Sequence, residues 1–349
     1  MTTEFTRPTP KARATMKDVA HRAGVSLKTV SRVVNDEPGV TAEVTERVRA
    51  AIRELRYEPN LSARSLRRLD RRSSTIAAIF DDLSNPHPAR ILRMIELAAR
   101  DRGVSVLAAS HEERPDRERQ LVAAMWRHGV DGIVVEPAAD DHHYLAELQR
   151  ASVPVIFVDR PPRHLDADAV LIDNRAGARA AVEHLIAHGH RRIAFLGDLS
   201  TIATAVDRRL GYLDGLVAGG LVIDPRLAVM DVHSVGEAAE RTRELLAGPH
   251  PPTAILAGQN LITIGVIYAL RAAGLERSVA LIGFDDFDLA DLLDPPVSVI
   301  SQEVEQIGAL AASLLFARMD DPSLPIQTAY APWRLVARGS GEIPAPDGR

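Results

Sequence analysis

Residues 15–35, Thr-Met-Lys-Asp-Val-Ala-His-Arg-Ala-Gly-Val-Ser-Leu-Lys-Thr-Val-Ser-Arg-Val-Val-Asn, constrain this chain more than any other stretch. Val19, Ala20 and Ala23 give the first half an apolar stripe at helical spacing, and Val30, Val33 and Val34 give the second half another. Gly24 ends the first helix, where a residue free to adopt left-handed backbone closes the last turn. Thr15 caps its start, with Asp18 near the positive end of the helix dipole, and Ser26 caps the second helix. Thr41 opens a third helix with Val44, Val48, Ile52 and Leu55 inward, and Pro59 ends the unit. Two short helices about a tight turn, backed by a third, predict a helix-turn-helix whose second helix fits a DNA major groove.

On that second helix the outward residues divide by chemistry. Leu27, Lys28 and Arg32 are the base-reading candidates: lysine and arginine donate to guanine O6 and N7, and leucine meets a thymine methyl. Ser26, Thr29, Ser31 and Asn35 suit phosphate contacts, which set register. Charge supports the reading. Residues 1–72 carry a balance of +7, whereas the whole chain is at −5, leaving −12 on the remainder. A basic head on an acidic body fits a polyanion-binding module joined to something that stays off the polyanion.

From Ser74 the pattern changes. Strand-like apolar runs at 76–80, 104–108, 132–135, 154–158, 169–172, 192–196, 253–256 and 279–284 alternate with helical runs at 89–102, 117–128, 174–188, 206–219, 234–247, 261–273 and 304–319. Near-continuous apolar strands between helices predict parallel sheets covered on both faces. The length of 349 residues fits two such sheets. Ligands of such sheets bind at the carboxyl ends of the strands. This makes Asn85 and His87 after the first strand, Asp159 and Arg160 after the fourth, Gln259, and Asp285 cleft candidates.

Here the residues resemble a known family. Asp18-Val19-Ala20, Ala23-Gly24-Val25-Ser26, Thr29-Val30-Ser31-Arg32-Val33 with Asn35, Arg56-Tyr57-Glu58-Pro59-Asn60 and Ala63-Arg64-Ser65-Leu66 are similar to the LacI/GalR family of bacterial transcriptional regulators, over about residues 15–338. The resemblance implies an N-terminal three-helix helix-turn-helix head (15–60) after a disordered lead (1–14). It also implies a hinge helix or linker (61–73), an α/β two-lobed periplasmic-binding-protein-like body (74–338) and a tail (339–349). It implies that Ala63, Arg64 and Leu66 act in the minor groove, where Leu66 would wedge a base step open. In the cleft it assigns to Arg209 the arginine that clamps effector hydroxyls or carboxylates, a role suited to a planar five-donor fork. Asp285 matches an effector-accepting aspartate, and Asp159 and Arg160 match a polar pair often placed in the cleft. The sequence departs from the family at His87-Pro88, where an aromatic pair is common, and at Gln259-Asn260, where Asn-Asp is usual.

Other chemistry is weaker. With no cysteine, there is no disulfide framework or thiolate site. Nucleophile-elbow, Walker and dinucleotide glycine patterns are missing. His184, His188 and His190 fit a helix C-cap better than a zinc site, and His142-His143 reads as a solvated face. The expectation is a cytoplasmic, non-enzymatic, homodimeric regulator, a repressor above all, with no cofactor, no metal and no membrane segment. Its expected partners are a pseudo-palindromic double-stranded operator and a small effector of the sugar, sugar phosphate or nucleobase class. The alternatives are a solute-binding protein, or an α/β enzyme of sugar or nucleoside metabolism with an appended DNA-binding head.

Overall fold

The computed structural model describes residues 14–34, 37–57 and 73–346, and the chain divides into two compact units, 1–73 and 74–349. Asn35 and the hinge residues Ala63, Arg64 and Leu66 lie outside the described residues, as does the expected lead except for Ala14.

In the first unit α1 (Met16–Ala23), α2 (Leu27–Val34) and α3 (Ala42–Leu55) pack around Val19, Val30, Val33, Val48, Ala51 and Tyr57. Thr15 and Asp18 form a reciprocal capping box on α1, and Gly24 closes it in the left-handed region at φ 65°. The Ser26 hydroxyl accepts from the Thr29 backbone N–H at 3.1 Å, which starts α2.

The second unit holds two six-stranded sheets. The N-lobe is formed by β1 (Thr75–Phe80), α4 (Pro86–Asp101), β2 (Ser105–Ser110), α5 (Pro115–Arg127), β3 (Ile133–Val135), α6 (Ala146–Arg150), β4 (Val155–Val158) and β5 (Asp168–Leu171). The C-lobe follows with α7 (Asn174–Ala187), β6 (Ile193–Leu196), α8 (Ala203–Ala218), β7 (Ala228–Val229), α9 (Val235–Leu246), β8 (Ala254–Ala257), α10 (Asn260–Ala273), β9 (Ala280–Phe284) and β10 (Ser298–Gln302). The chain returns to the N-lobe for α11 (Val304–Asp320) and β11 (Thr328–Tyr330), then ends on β12 (Trp333–Val336) in the C-lobe.

Strand order is β11-β5-β4-β3-β1-β2 in one sheet and β12-β10-β9-β8-β6-β7 in the other. All pairings are parallel except β10 with β12. The central strands are buried throughout, which explains their unbroken Val, Ile, Leu and Ala content. Between α7 and α8 the packing is backbone-close: a Cβ on Gly211 would stand 2.1 Å from the Arg175 carbonyl oxygen. Arg208, three residues before Gly211 on α8, is buried.

Two of the histidine expectations change. His142 is buried rather than solvated, with its Nδ1 accepting from the Arg163 backbone N–H at 2.7 Å. His188 caps α7, its Nδ1 donating to the His184 carbonyl at 2.9 Å. His190, however, is buried between Thr253 and the Ile343 carbonyl, and so anchors the C-terminal segment.

Candidate functional site

The cleft is built from the carboxyl ends of both sheets. Asp81, Asn85, His87, Glu136, Asp159 and Arg160 line it from the N-lobe, and Asp198, Thr204, Ala205, Arg208, Gln259 and Asp285 from the C-lobe. Asp159 after β4 and Asp285 after β9 both adopt left-handed backbone, φ 64° and 66°. Aspartate tolerates that region better than most residues, and each turn holds a carboxylate at its strand end. The two lobes meet where the Asn260 amide donates to Asn85 Oδ1 at 2.8 Å and Arg90 pairs with Asp288.

The C-lobe wall centres on Arg208. Its Nε donates to Asn174 Oδ1 at 2.7 Å, its Nη1 donates to the Gly258 carbonyl at 2.8 Å and to Asp285 Oδ2 at 3.1 Å, and its guanidinium lies 3.9 Å over the Phe284 ring. Gln302 donates to the other oxygen of Asp285. Arg209, the residue expected as the clamp, is half-buried and outside the cleft lining. Consecutive helix residues point about 100° apart, and of these two adjacent arginines Arg208 is the one that faces the cleft.

The N-lobe wall centres on Arg160, which donates to both oxygens of Glu113, to Glu136 at 3.2 Å and to the Pro137 carbonyl at 2.9 Å. Burial alone would depress this guanidinium, but Glu136 and Glu113 reverse that and hold it above its ordinary value. Burial pushes Glu136 well above the usual carboxylate range despite Arg160. Burial and then Glu113 push Asp81 up to about 6. Across the cleft, His233 Nδ1 sits 2.7 Å from Asp198, whose hydrogen bond raises the imidazole to about 9.

The side chains leave only about 50 Å³ of free space inside, while a wider groove of about 870 Å³, sharing Asp159 and Thr204, opens toward Asn174, Tyr330 and Trp333. Among the described residues, four buried polar atoms of the lining have no hydrogen-bond partner: His87 Nε2, Asp159 Oδ1, Arg160 Nε and Gln259 Oε1. Two of them accept only. The Arg160 Nε donates, so the set presents both donors and acceptors to the cleft.

Of the residues expected in the cleft, the structure brings together Asn85, His87, Asp159, Arg160, Gln259 and Asp285. Sequence reasoning passed over Asp81, Glu113, Glu136, Asp198 and Arg208. Asp81 and Glu136 directly follow β1 and β3, and Asp198 falls two residues after β6, so the strand-end rule could have found them. Glu113 carried no such signal.

On the head, Leu27 is 41% exposed and Lys28 is exposed, whereas Thr29, Ser31 and Arg32 are half-buried. Ser26 and Thr29 hydroxyls lie 2.8 Å apart at the start of α2.

The profile of the lacI family of bacterial regulatory proteins matches residues 15–60, and that of the periplasmic binding protein-like domain matches residues 182–341. The ribose operon repressor of Escherichia coli strain K12 is 32% identical over 331 residues, covering 94% of this chain and 99% of that protein. The chain belongs to the LacI family. The lac repressor dimer bound to operator and the anti-inducer ONPF is 27% identical to this LacI-family chain, with a TM-score of 0.81 over 94% of this chain and 99% of that one. A transcriptional regulator CelR–cellobiose complex is 29% identical, with a TM-score of 0.69 over 94% of this chain and 100% of that one. The LacI-family chain is thus a DNA-binding transcriptional regulator with an N-terminal helix-turn-helix and a two-sheet α/β body.

Proposed function

We propose that this regulator is a cytoplasmic homodimer that represses transcription from a pseudo-palindromic operator. Its affinity for DNA is set by a hydroxyl-rich small molecule held between the lobes. The set of four unpartnered polar atoms in the lining carries the effector reading. Arg160 and Arg208 are already neutralised by Glu113, Glu136 and Asp285, and carboxylates outnumber guanidiniums around the cleft. A phosphate or carboxylate would meet uncompensated repulsion there. Among the described residues, the inner lining has no Phe, Tyr or Trp on which a base could stack. Among the three effector classes the sequence left open, a neutral sugar therefore fits best. The relatives agree in kind: one is a repressor of the ribose operon and another is a regulator in complex with cellobiose.

Drug-sized ligands occupy pockets of about 300–1,000 Å³, so an effector must part the lobes or swing side chains outward before it fits. A ligand that favours one lobe arrangement by about 1–3 kcal/mol would change operator affinity about 5–150-fold. The cleft binds and does not turn over its ligand. Among the described residues no helix is long and apolar enough to cross a membrane.

Calorimetry with paired ligands tests the effector class. D-ribose, D-glucose and cellobiose are each compared with ribose 5-phosphate and glucose 6-phosphate. At least one neutral sugar should bind and shift operator affinity, and neither phosphate ester should bind more tightly than its parent sugar. A phosphate ester that outbinds its parent would sink the reading.

On DNA, Lys28→Ala and Arg32→Ala should each cost about 1–3 kcal/mol at the selected operator and relax base preference at one position per half-site. Equal losses on every sequence would reassign them to phosphate contact.

A pH experiment tests the electrostatics. Asp81 binds its proton more tightly folded (about 6) than unfolded (3.8). Its burial therefore costs nothing below pH 4, and stability falls as pH rises from there to about 6. Asp81→Asn should stabilise the ligand-free body by about 1–3 kcal/mol at neutral pH and by nothing at about pH 4. Urea denaturation at both pH values measures this, and a destabilised variant at neutral pH would contradict it.

A further inference from the structure

We propose that Asp141, His143 and His164 form a binding site for a divalent transition metal ion of the zinc type on the outer rim of the N-lobe. These residues were expected to hold no metal, and neither cleft wall uses them. One ligand atom from each lies within 4.8 Å of the other two. Asp141 Oδ1 is 2.7 Å from His143 Nδ1 and 3.8 Å from His164 Nδ1, and the two imidazole rings stack with centroids 5.7 Å apart and planes 11° from parallel.

Zinc–nitrogen bonds of about 2.0–2.1 Å and zinc–oxygen bonds of about 2.0–2.2 Å place tetrahedral ligand atoms about 3.3 Å apart. The two distances from Asp141 Oδ1, 2.7 and 3.8 Å, bracket that value and all three atoms lie within 4.8 Å of one another, so side-chain rotation alone closes the set around an ion. Two imidazoles and one carboxylate form a borderline donor set that suits zinc, nickel or copper, whereas calcium and magnesium require more oxygens. All three side chains are more than half exposed, which leaves the remaining coordination positions to water.

The backbone beneath the site is already fixed. Asp141 and His143 lie on the segment after β3, and His164 on the segment after β4. The two segments are tied where His142 N donates to the Arg163 carbonyl at 3.1 Å, Arg163 N donates to His142 Nδ1 at 2.7 Å, and Arg163 pairs with Asp140 at 2.7 Å. Holding the ligand-bearing backbone in place leaves only side-chain rotamers to order on binding. The same two segments begin with Glu136 and with Asp159 and Arg160, so an ion here would cross-link the loops that form the N-lobe wall of the cleft.

Chelator-stripped full-length protein titrated with zinc chloride in a calorimeter should take up one equivalent per chain. That equivalent should vanish in the His143→Ala/His164→Ala double variant and weaken about tenfold or more in Asp141→Asn. His184→Gln should leave it intact, which separates this site from the histidines near the end of α7. Should the double variant melt early, the visible absorption of bound cobalt(II) in the wild type, lost in the single His164→Gln variant, decides the matter. A wild type that takes up no zinc at micromolar concentrations, or a double variant with unchanged stoichiometry and affinity, overturns the proposal.

Discussion

Replacing Arg208 with Ala should destabilise the body by about 3–5 kcal/mol, because it strips one partner from a buried ion pair. Asp285 would keep the Gln302 amide and the more distant His87 imidazole at 4.0 Å, Asn174 Oδ1 and the Gly258 carbonyl would lose a charged donor, and Phe284 would lose its stacked guanidinium. Asp285 is only 5% exposed, so water cannot replace the arginine without opening the cleft. Arg209→Ala, one residue further along α8, should cost clearly less, because half-buried Arg209 belongs to no buried ion pair among the described residues. Urea denaturation of the two variants side by side measures the contrast. Equal stabilities would mean that the Arg208 network contributes nothing to the fold. Effector response should also be lost in Arg208→Ala and kept in Arg209→Ala.

Arg160→Ala should cost a similar amount, about 3–5 kcal/mol at neutral pH, by leaving Glu113 and Glu136 buried beside Asp159 without a cation. This loss carries a pH signature that the Arg208 variant lacks to the same degree. Glu136, already raised by burial, would bind its proton still more tightly without the guanidinium, so the deficit should shrink as pH falls. A pH-independent deficit would attribute the loss to packing rather than to charge. Arg160→Lys should recover only part of the stability, because an ammonium cannot span both oxygens of Glu113 and reach Glu136 with a planar fork.

Much of the architecture was legible along the chain. The head announced itself because short helices must advertise their ends: Thr15, Gly24, Ser26 and Thr41 occupy the positions the caps require. Eight strand-like runs fell on β1 to β6, β8 and β9; apart from the exposed edge strand β2 these are buried, and strands buried on both faces need unbroken apolar residues. The short β7 and the last three strands were passed over. Ser298 and Gln302 put polar side chains at both ends of β10, although the whole strand is buried. Edge strands β11 and β12 are partly exposed and so carry mixed sequence.

The amino-acid order alone settled the local matters: where helices start and stop, which segments are apolar enough for a central strand, and which family signature the head carries. These depend on neighbours within a turn or two of backbone. Only the folded body decided which of Arg208 and Arg209 enters the cleft, that Glu113 joins Arg160 from 47 residues away, and that His164 stands beside Asp141 and His143. Such pairings depend on helix phase and on loops from different strands converging in space, and neither is encoded within a short window of sequence.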